Sequence, residues 1–210
     1  LDALAQSVRK IEPDVVVNAA AYTVVDKAEA EPELARTVNA DAPAVLAREA
    51  RKVGAWLVHY STDYVFDGSG KQSWQETDVT RPLNVYGASK LEGERAIRKS
   101  ACRHLILRTS WVYAARRHNF IRTMLRLAQE RDTLQVIDDQ IGTPTGAELI
   151  ADVTAHVLML ARRHPETGGL YHVAAAGETS WHGYARFLIE KGRAIGWPLR
   201  VSIEDIEPVP

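Results

Sequence analysis

Tyr86 and Lys90 stand four residues apart in "RPLNVYGASKLEGE", residues 81–94, where a polar loop gives way to a helical pattern. At that spacing both side chains lie on one helix face, one turn apart. An ammonium one turn from a phenol favours the phenolate, so Lys90 is expected to draw Tyr86 below its ordinary value of about 10. A phenol tuned in this way trades a proton with an alcohol or carbonyl oxygen near neutral pH. The small residues between them, Gly87, Ala88 and Ser89, leave the face open to a ligand. A second hydroxyl is needed to orient the reacting oxygen, and Thr62, 24 positions upstream (86 − 62), ends the apolar run "AWLVHYST". The bare Tyr–Lys spacing is a weak signal, and the residues around it give it weight.

The elements that must position these groups alternate. "DVVVNAAAY" (14–22) reads as a buried strand, followed by a helix over about 33–53 with Leu34, Val38, Ala42, Val45, Leu46 and Ala50 on one face. Pro43 is expected to kink or restart that helix, and Gly54 to stop it. "AWLVHYST" (55–62) is the next strand, and the long polar loop after it is too long for an idle connection. A helix over 86–99, a strand "HLILRTSWVY" (104–113), a helix over 119–130 and a short strand "LQVID" come next. The loop "DQIGTPTG", a helix over 147–163, a strand at 170–176 and a last helix capped by Ser180 complete the pattern. Strands alternating with helices imply βαβ units and an open α/β fold, a doubly wound parallel sheet. Ligands of such sheets bind beyond the carboxyl ends of the strands. Three loops are expected there: Ala19–Thr23, Ser61–Phe66 and Thr109–Tyr113.

With 210 residues, 46% hydrophobic and 25% charged, the chain suits a globular unit with a substantial core. A net charge of −1 and no dense basic patch argue against nucleic acid or a membrane surface as partner. No apolar run approaches a membrane span. A single cysteine, Cys102, excludes an internal disulfide and favours a cytoplasmic location, and the seven histidines show no metal-ligand spacing. "LDALAQSVRKIEP" opens on a helical pattern with no strand before it, as expected of a piece of a longer chain.

The runs "NAAAYTVVDKAE", "STDYVFDG", "YGASKLEGE", "RTSWVY", "DDQIGTPT" and "GLYHVAAAGETSW" resemble the dTDP-4-dehydrorhamnose reductase family of the extended short-chain dehydrogenase/reductase superfamily, from about Asp14 to Trp181. The Tyr–Lys pair marks the superfamily; Tyr64–Gly68 and Trp111 point to this branch. The resemblance implies a Rossmann-like dinucleotide-binding part over 1–110 and 140–165 and a substrate-binding lobe over 111–139 and 166–210. Tyr86, Lys90 and Thr62 become the catalytic residues. Ala19, Ala20, Ala21, Thr23 and Tyr60 join Tyr86 and Lys90 as cofactor-binding positions. Thr62, Asp63 and Trp111 become contacts for the nucleotide sugar. The cofactor implied is NADPH, with NADH as the other option. A Mg²⁺-linked dimer contact at Glu148 is the further feature that related reductases suggest. The family's glycine-rich loop and the residue selecting NAD or NADP do not occur in this sequence, nor does the C-terminal Arg-Pro segment.

Two other readings stand beside reduction of a nucleotide-linked 4-keto sugar. One is another nucleotide-sugar epimerase, reductase or 4,6-dehydratase; against a dehydratase, the position after the Thr-Asp pair is Tyr64, where that chemistry needs a Glu. The other is a non-catalytic regulatory subunit like the β subunit of methionine adenosyltransferase, which shares the Tyr–Lys signature. His172 is expected to be structural.

Overall fold

The computed structural model describes residues 1–116 and 118–210. Helix α1 (Asp2–Ile11) leads into β1 (Val15–Asn18), then α2 (Val25–Ala30) and α3 (Pro32–Arg36). One π turn (Thr37–Asp41) joins α3 to α4 (Ala42–Val53), followed by β2 (Trp56–Thr62), a 3-10 turn (Asp63–Val65), α5 (Val85–Ser100) and β3 (Arg103–Thr109). Next come β4 (Val112–Tyr113), α6 (Phe120–Glu130), β5 (Leu134–Ile137), β6 (Ile141–Gly142), β7 (Thr145–Gly146) and α7 (Ala147–Arg163). β8 (Gly169–His172), β9 (Thr179–Ser180), α8 (Trp181–Ala194) and β10 (Ile206–Val209) end the chain. Two units form, residues 1–109 with 154–173 and residues 110–153 with 174–210.

In the first unit, β1, β2, β3 and β8 make one sheet in that order, and every pairing is parallel. Alternation along β2 divides its side chains between two layers. His59 and Ser61 face α5, while the Tyr60 hydroxyl reaches Thr154 of α7 at 3.0 Å. Helices therefore cover both faces, as a doubly wound sheet requires. Val8, Leu46, Ala50, Leu57, Ile97 and Ile106 fill the layer between α1, α4, α5 and the sheet. Parallel pairing sets the carboxyl ends of β1, β2 and β3 along one edge, with Thr62 opposite Thr109.

The second unit packs α6 and α8 with the parallel pair β5–β10 around Met124, Ala128, Leu134, Val136, Ile189 and Ile206.

Three expectations change. The first strand stops at Asn18, because the Asn18 side chain turns back to accept the Ala20 N–H and so ends the ladder. The strand over 104–113 breaks after Thr109, because Trp111 takes a left-handed φ of 47°, which no strand accommodates. Pro43 sits in the first turn of α4, and the accommodation lies just before it, in the wider π turn over Thr37–Asp41. A proline ring crowds the carbonyl four residues back, here Asn39, and the π turn relieves that contact.

Candidate active site

Asn84 starts α5 by accepting the Gly87 N–H at 2.7 Å, which fixes Tyr86, Lys90 and Glu94 on successive turns of one face. Two glycines let that face approach its neighbours. A Cβ at Gly87 would stand 2.2 Å from the Tyr64 carbonyl oxygen, and one at Gly93 would stand 2.2 Å from that of Asn39. The small residues of the motif are thus required by backbone contact as well as by an open face.

Tyr86 is half-buried, and the Thr62 hydroxyl is near enough to favour its ionised form. Thr62 Oγ1 also donates to Asp63 Oδ1 at 3.1 Å and accepts the Tyr64 N–H at 3.3 Å. The Tyr64 ring meets Tyr86 edge-on, with centroids 5.5 Å apart. Burial pushes the Tyr86 phenol up, the nearby Thr62 hydroxyl partly opposes it, and Asp63 and Tyr64 push it up further. The expected lowering by Lys90 is therefore reversed: Tyr86 holds its proton at neutral pH. Burial likewise raises Asp63, against the hydrogen bond from Thr62.

Lys90 is 2% exposed. Its Nζ donates to the Tyr60 carbonyl at 2.6 Å and stands 3.5 Å from His59 Nε2. Burial brings the ammonium down to about 8, with Glu94 pulling the other way. The His59 tautomer follows from its neighbours. Asn18 Oδ1 accepts from the Ala20 N–H, so Asn18 Nδ2 donates to His59 Nδ1 at 3.0 Å, and the ring proton is assigned to Nε2, facing Lys90. Burial, and then the Lys90 charge, hold His59 well below its ordinary value, so the ring is neutral.

Several residues not singled out in the sequence complete the framework. Asn39, fully buried at the π turn, accepts the Tyr22 N–H at 2.8 Å, and its Nδ2 donates to the Tyr22 carbonyl and to Ser89 Oγ, each at 3.0 Å. The loop after β1 is thereby tied to the helix of Tyr86 and Lys90. Glu94 accepts Ser61 Oγ at 2.5 Å and is clamped by Arg108 Nε at 2.9 Å and Nη2 at 2.7 Å. Asn39 stands among Arg36, Thr37 and Asp41, so no local contrast in the sequence marks it. For Glu94 the signal is its place four residues after Lys90.

The cofactor positions fall into two groups. Ala19, Ala20 and Thr23 are exposed, and Ala21 half-buried, just beyond the end of β1, where small side chains leave the backbone approachable. Tyr60 supports the site through its backbone, since its carbonyl anchors Lys90 and its hydroxyl is taken by Thr154. Thr109 Oγ1 is the buried side-chain polar atom without a hydrogen-bond partner among the described residues, and it ends β3 opposite Thr62. A lysine, an unsatisfied hydroxyl and approachable small residues along one sheet edge fit a dinucleotide rich in hydroxyl and amide groups.

Trp111 lies in the second unit, stacked on Trp181 at 3.5 Å with its ring against Gly142. Glu148 opens α7, and among the described residues no group of three His, Cys, Asp or Glu side chains is placed to hold a metal ion. His172 packs edge-on to Phe66, and its N–H donates to Glu76 Oε1 at 2.9 Å, a structural setting.

The family model described as the RmlD substrate binding domain matches residues 1–210. The chain is 55% identical over 207 residues to dTDP-4-dehydrorhamnose reductase of Salmonella typhimurium, covering 99% of this chain and 69% of that one. The chain belongs to the dTDP-4-dehydrorhamnose reductase family. A second member, from Escherichia coli K12, is 54% identical over 96% of this chain and 67% of its own length. The crystal structure of the reductase from Bacillus anthracis in complex with NADP superposes with a TM-score of 0.86 at 36% identity, over 99% of this chain and 69% of that one. A dTDP-glucose 4,6-dehydratase from Streptomyces venezuelae, at 21% identity and a TM-score of 0.78, shares the fold alone. Among the described residues no helix of this reductase is long and apolar enough to cross a membrane.

Proposed function

We propose that Tyr86, Thr62 and Lys90 carry out the reduction of the 4-keto group of dTDP-4-dehydro-β-L-rhamnose to dTDP-β-L-rhamnose, the last step of dTDP-rhamnose synthesis, with NADPH as reductant. The observation that carries this reading is the placement of Lys90, one turn from Tyr86 on α5 and bonded at 2.6 Å to the Tyr60 carbonyl, two residues before Thr62 on β2.

NADPH, when bound, supplies a hydride to the carbonyl carbon. Ala19, Ala20, Ala21 and Thr23 would take its phosphate-ribose part, and Lys90 its nicotinamide ribose. Thr62 directs its hydroxyl at the keto oxygen and holds it next to the Tyr86 phenol. Tyr86 gives that oxygen its proton as the C=O bond becomes C–O, so the products are the alcohol and a tyrosinate. Burial favours the neutral phenol before reaction, which suits a proton donor. The Lys90 ammonium one turn away stabilises the tyrosinate and stands ready to return a proton. Asp63 and Trp111 are the proposed contacts for the nucleotide sugar, Trp111 by its ring edge, since its faces are taken by Trp181 and Gly142. The first unit would hold the dinucleotide, the second would contribute to substrate binding, and the reaction would run in the cytoplasm.

Tyr64 meets Tyr86 edge-on, where a dehydratase would need a carboxylate. Incubation with dTDP-4-dehydrorhamnose and NADPH tests the reading: it predicts stoichiometric loss of the reduced-nicotinamide absorbance. A protein that binds both without turnover would instead be the regulatory type.

A further inference from the structure

Two side chains hold the start of α5, and they come from different parts of the chain. Asn84, at the cap position, accepts the Gly87 N–H at 2.7 Å. Glu29 of α2, 56 residues before Val85, accepts the Val85 N–H at 2.8 Å. A capping side chain is expected at a helix start, whereas a carboxylate brought in from another helix is a second, independent tie. Such a bond is charge-assisted, and negative charge favours this end of a helix. Tyr86 directly follows Val85, so the bond fixes the backbone from which the phenol projects.

Glu29 can serve as an anchor because its own short helix is held from outside. α2 has six residues and no capping side chain, too few to stand by propensity. Its Ala28 is fully buried. Just before it, the Tyr22 N–H and carbonyl are both bonded to the Asn39 side chain, at 2.8 and 3.0 Å. Just after it, Glu31 accepts the Tyr22 hydroxyl at 2.6 Å and pairs with Lys27 at 2.8 Å. Asn39 also donates to Ser89 of α5 at 3.0 Å. The segment from Ala19 to Glu31 is thus joined to α5 twice, through Asn39 to Ser89 and through Glu29 to Val85. It opens with the proposed dinucleotide positions, Ala19–Thr23.

We propose that Glu29 is a positioning residue for the reduction: its bond to the Val85 N–H sets the first turn of α5, and with it the Tyr86 hydroxyl, relative to the Thr62 hydroxyl. The same turn lies against the loop of Thr62, where a Cβ at Gly87 would stand 2.2 Å from the Tyr64 carbonyl oxygen. A small shift of the turn therefore changes where the phenol sits. The inference rests on the reductase reading for its kinetic consequence, while the bond itself stands apart from it.

The test pairs Glu29→Ala, which removes the acceptor, with Glu29→Gln, which keeps one. Glu29 is exposed, so neither variant empties the core. Amide hydrogen exchange is read on the free protein, and single-turnover reduction of dTDP-4-dehydrorhamnose is read at saturating NADPH. In Glu29→Ala the Val85 amide should exchange at least about 10-fold faster, and reduction should slow about 10-fold. In Glu29→Gln the amide regains protection and the rate lies within about 3-fold of wild type. A role exerted through Tyr86 leaves a further signature. In a Tyr86→Phe background Glu29→Ala should not slow the residual reaction, because no hydroxyl is left to misplace, whereas a merely structural role slows both backgrounds alike. Unchanged Val85 exchange in Glu29→Ala, a wild-type rate in that variant, a Glu29→Gln rate as low as that of Glu29→Ala, or equal slowing in both backgrounds overturns the proposal. The exchange measurement needs neither substrate nor NADPH, so its failure is distinguishable from failure of the reductase reading, which shows as absent turnover in wild type.

Discussion

Lys90 donates its ammonium to the backbone carbonyl of Tyr60 at 2.6 Å, and so is tied to the strand whose next residues but one include Thr62. One short bond thereby links the helix of the proton donor to the strand of the hydroxyl that orients the substrate. Position is set by backbone, and the side chain of Tyr60 is spent elsewhere, on Thr154. The tuning of Tyr86 differs from what the Tyr–Lys spacing alone predicts: burial raises the phenol, and the role left to Lys90 is to steady the tyrosinate formed on reaction.

Buried Lys90 should leave its mark on stability. Its folded value is about 8 against an ordinary 10.5. Between those limits the unfolded chain keeps a proton that the native protein lacks, so stability rises with pH through that window. The stability of wild type relative to Lys90→Met, from urea unfolding, should grow by up to about 3 kcal/mol between pH 7.5 and 10.5. A difference flat with pH would contradict this.

Thr62→Val keeps the shape but deletes the hydroxyl that donates to Asp63 and accepts the Tyr64 N–H, next to the Tyr86 phenol. Stability should fall by about 1 kcal/mol, whereas kcat should fall about 100-fold, because an oriented donor at the reacting oxygen is lost. Steady-state kinetics beside thermal unfolding separates the two effects.

Gly93→Ala places a methyl 2.2 Å from the Asn39 carbonyl oxygen, a backbone atom that cannot swing aside. A loss of about 2 kcal/mol or more is expected from denaturant midpoints. Asn39 ties down Tyr22, so the KM for NADPH should rise as well.

Much of this is legible in the sequence where a local signal exists. The helix of Tyr86 is marked by the Asn84 cap, and α7 follows its apolar period without interruption. The ends of the strands are not legible, because they depend on particular bonds: the turned-back Asn18 amide and the left-handed Trp111. α2, six residues with no capping side chain, and β10, which exists by pairing with β5, carry no strong local pattern. The candidate triad is visible from residue types at characteristic spacings. Its supports, His59, Asn39 and Glu94, are not, because each acts through a partner between 14 and 50 positions away, among them Asn18, Ser89 and Arg108.

The central claim is that the Tyr86 hydroxyl is the proton donor. Tyr86→Phe preserves the ring and its edge-on contact with Tyr64 while removing the one group that gives up a proton. Single-turnover reduction of dTDP-4-dehydrorhamnose by NADPH should slow by at least about 100-fold in this variant, with folding unchanged. Reduction at the wild-type rate would contradict it.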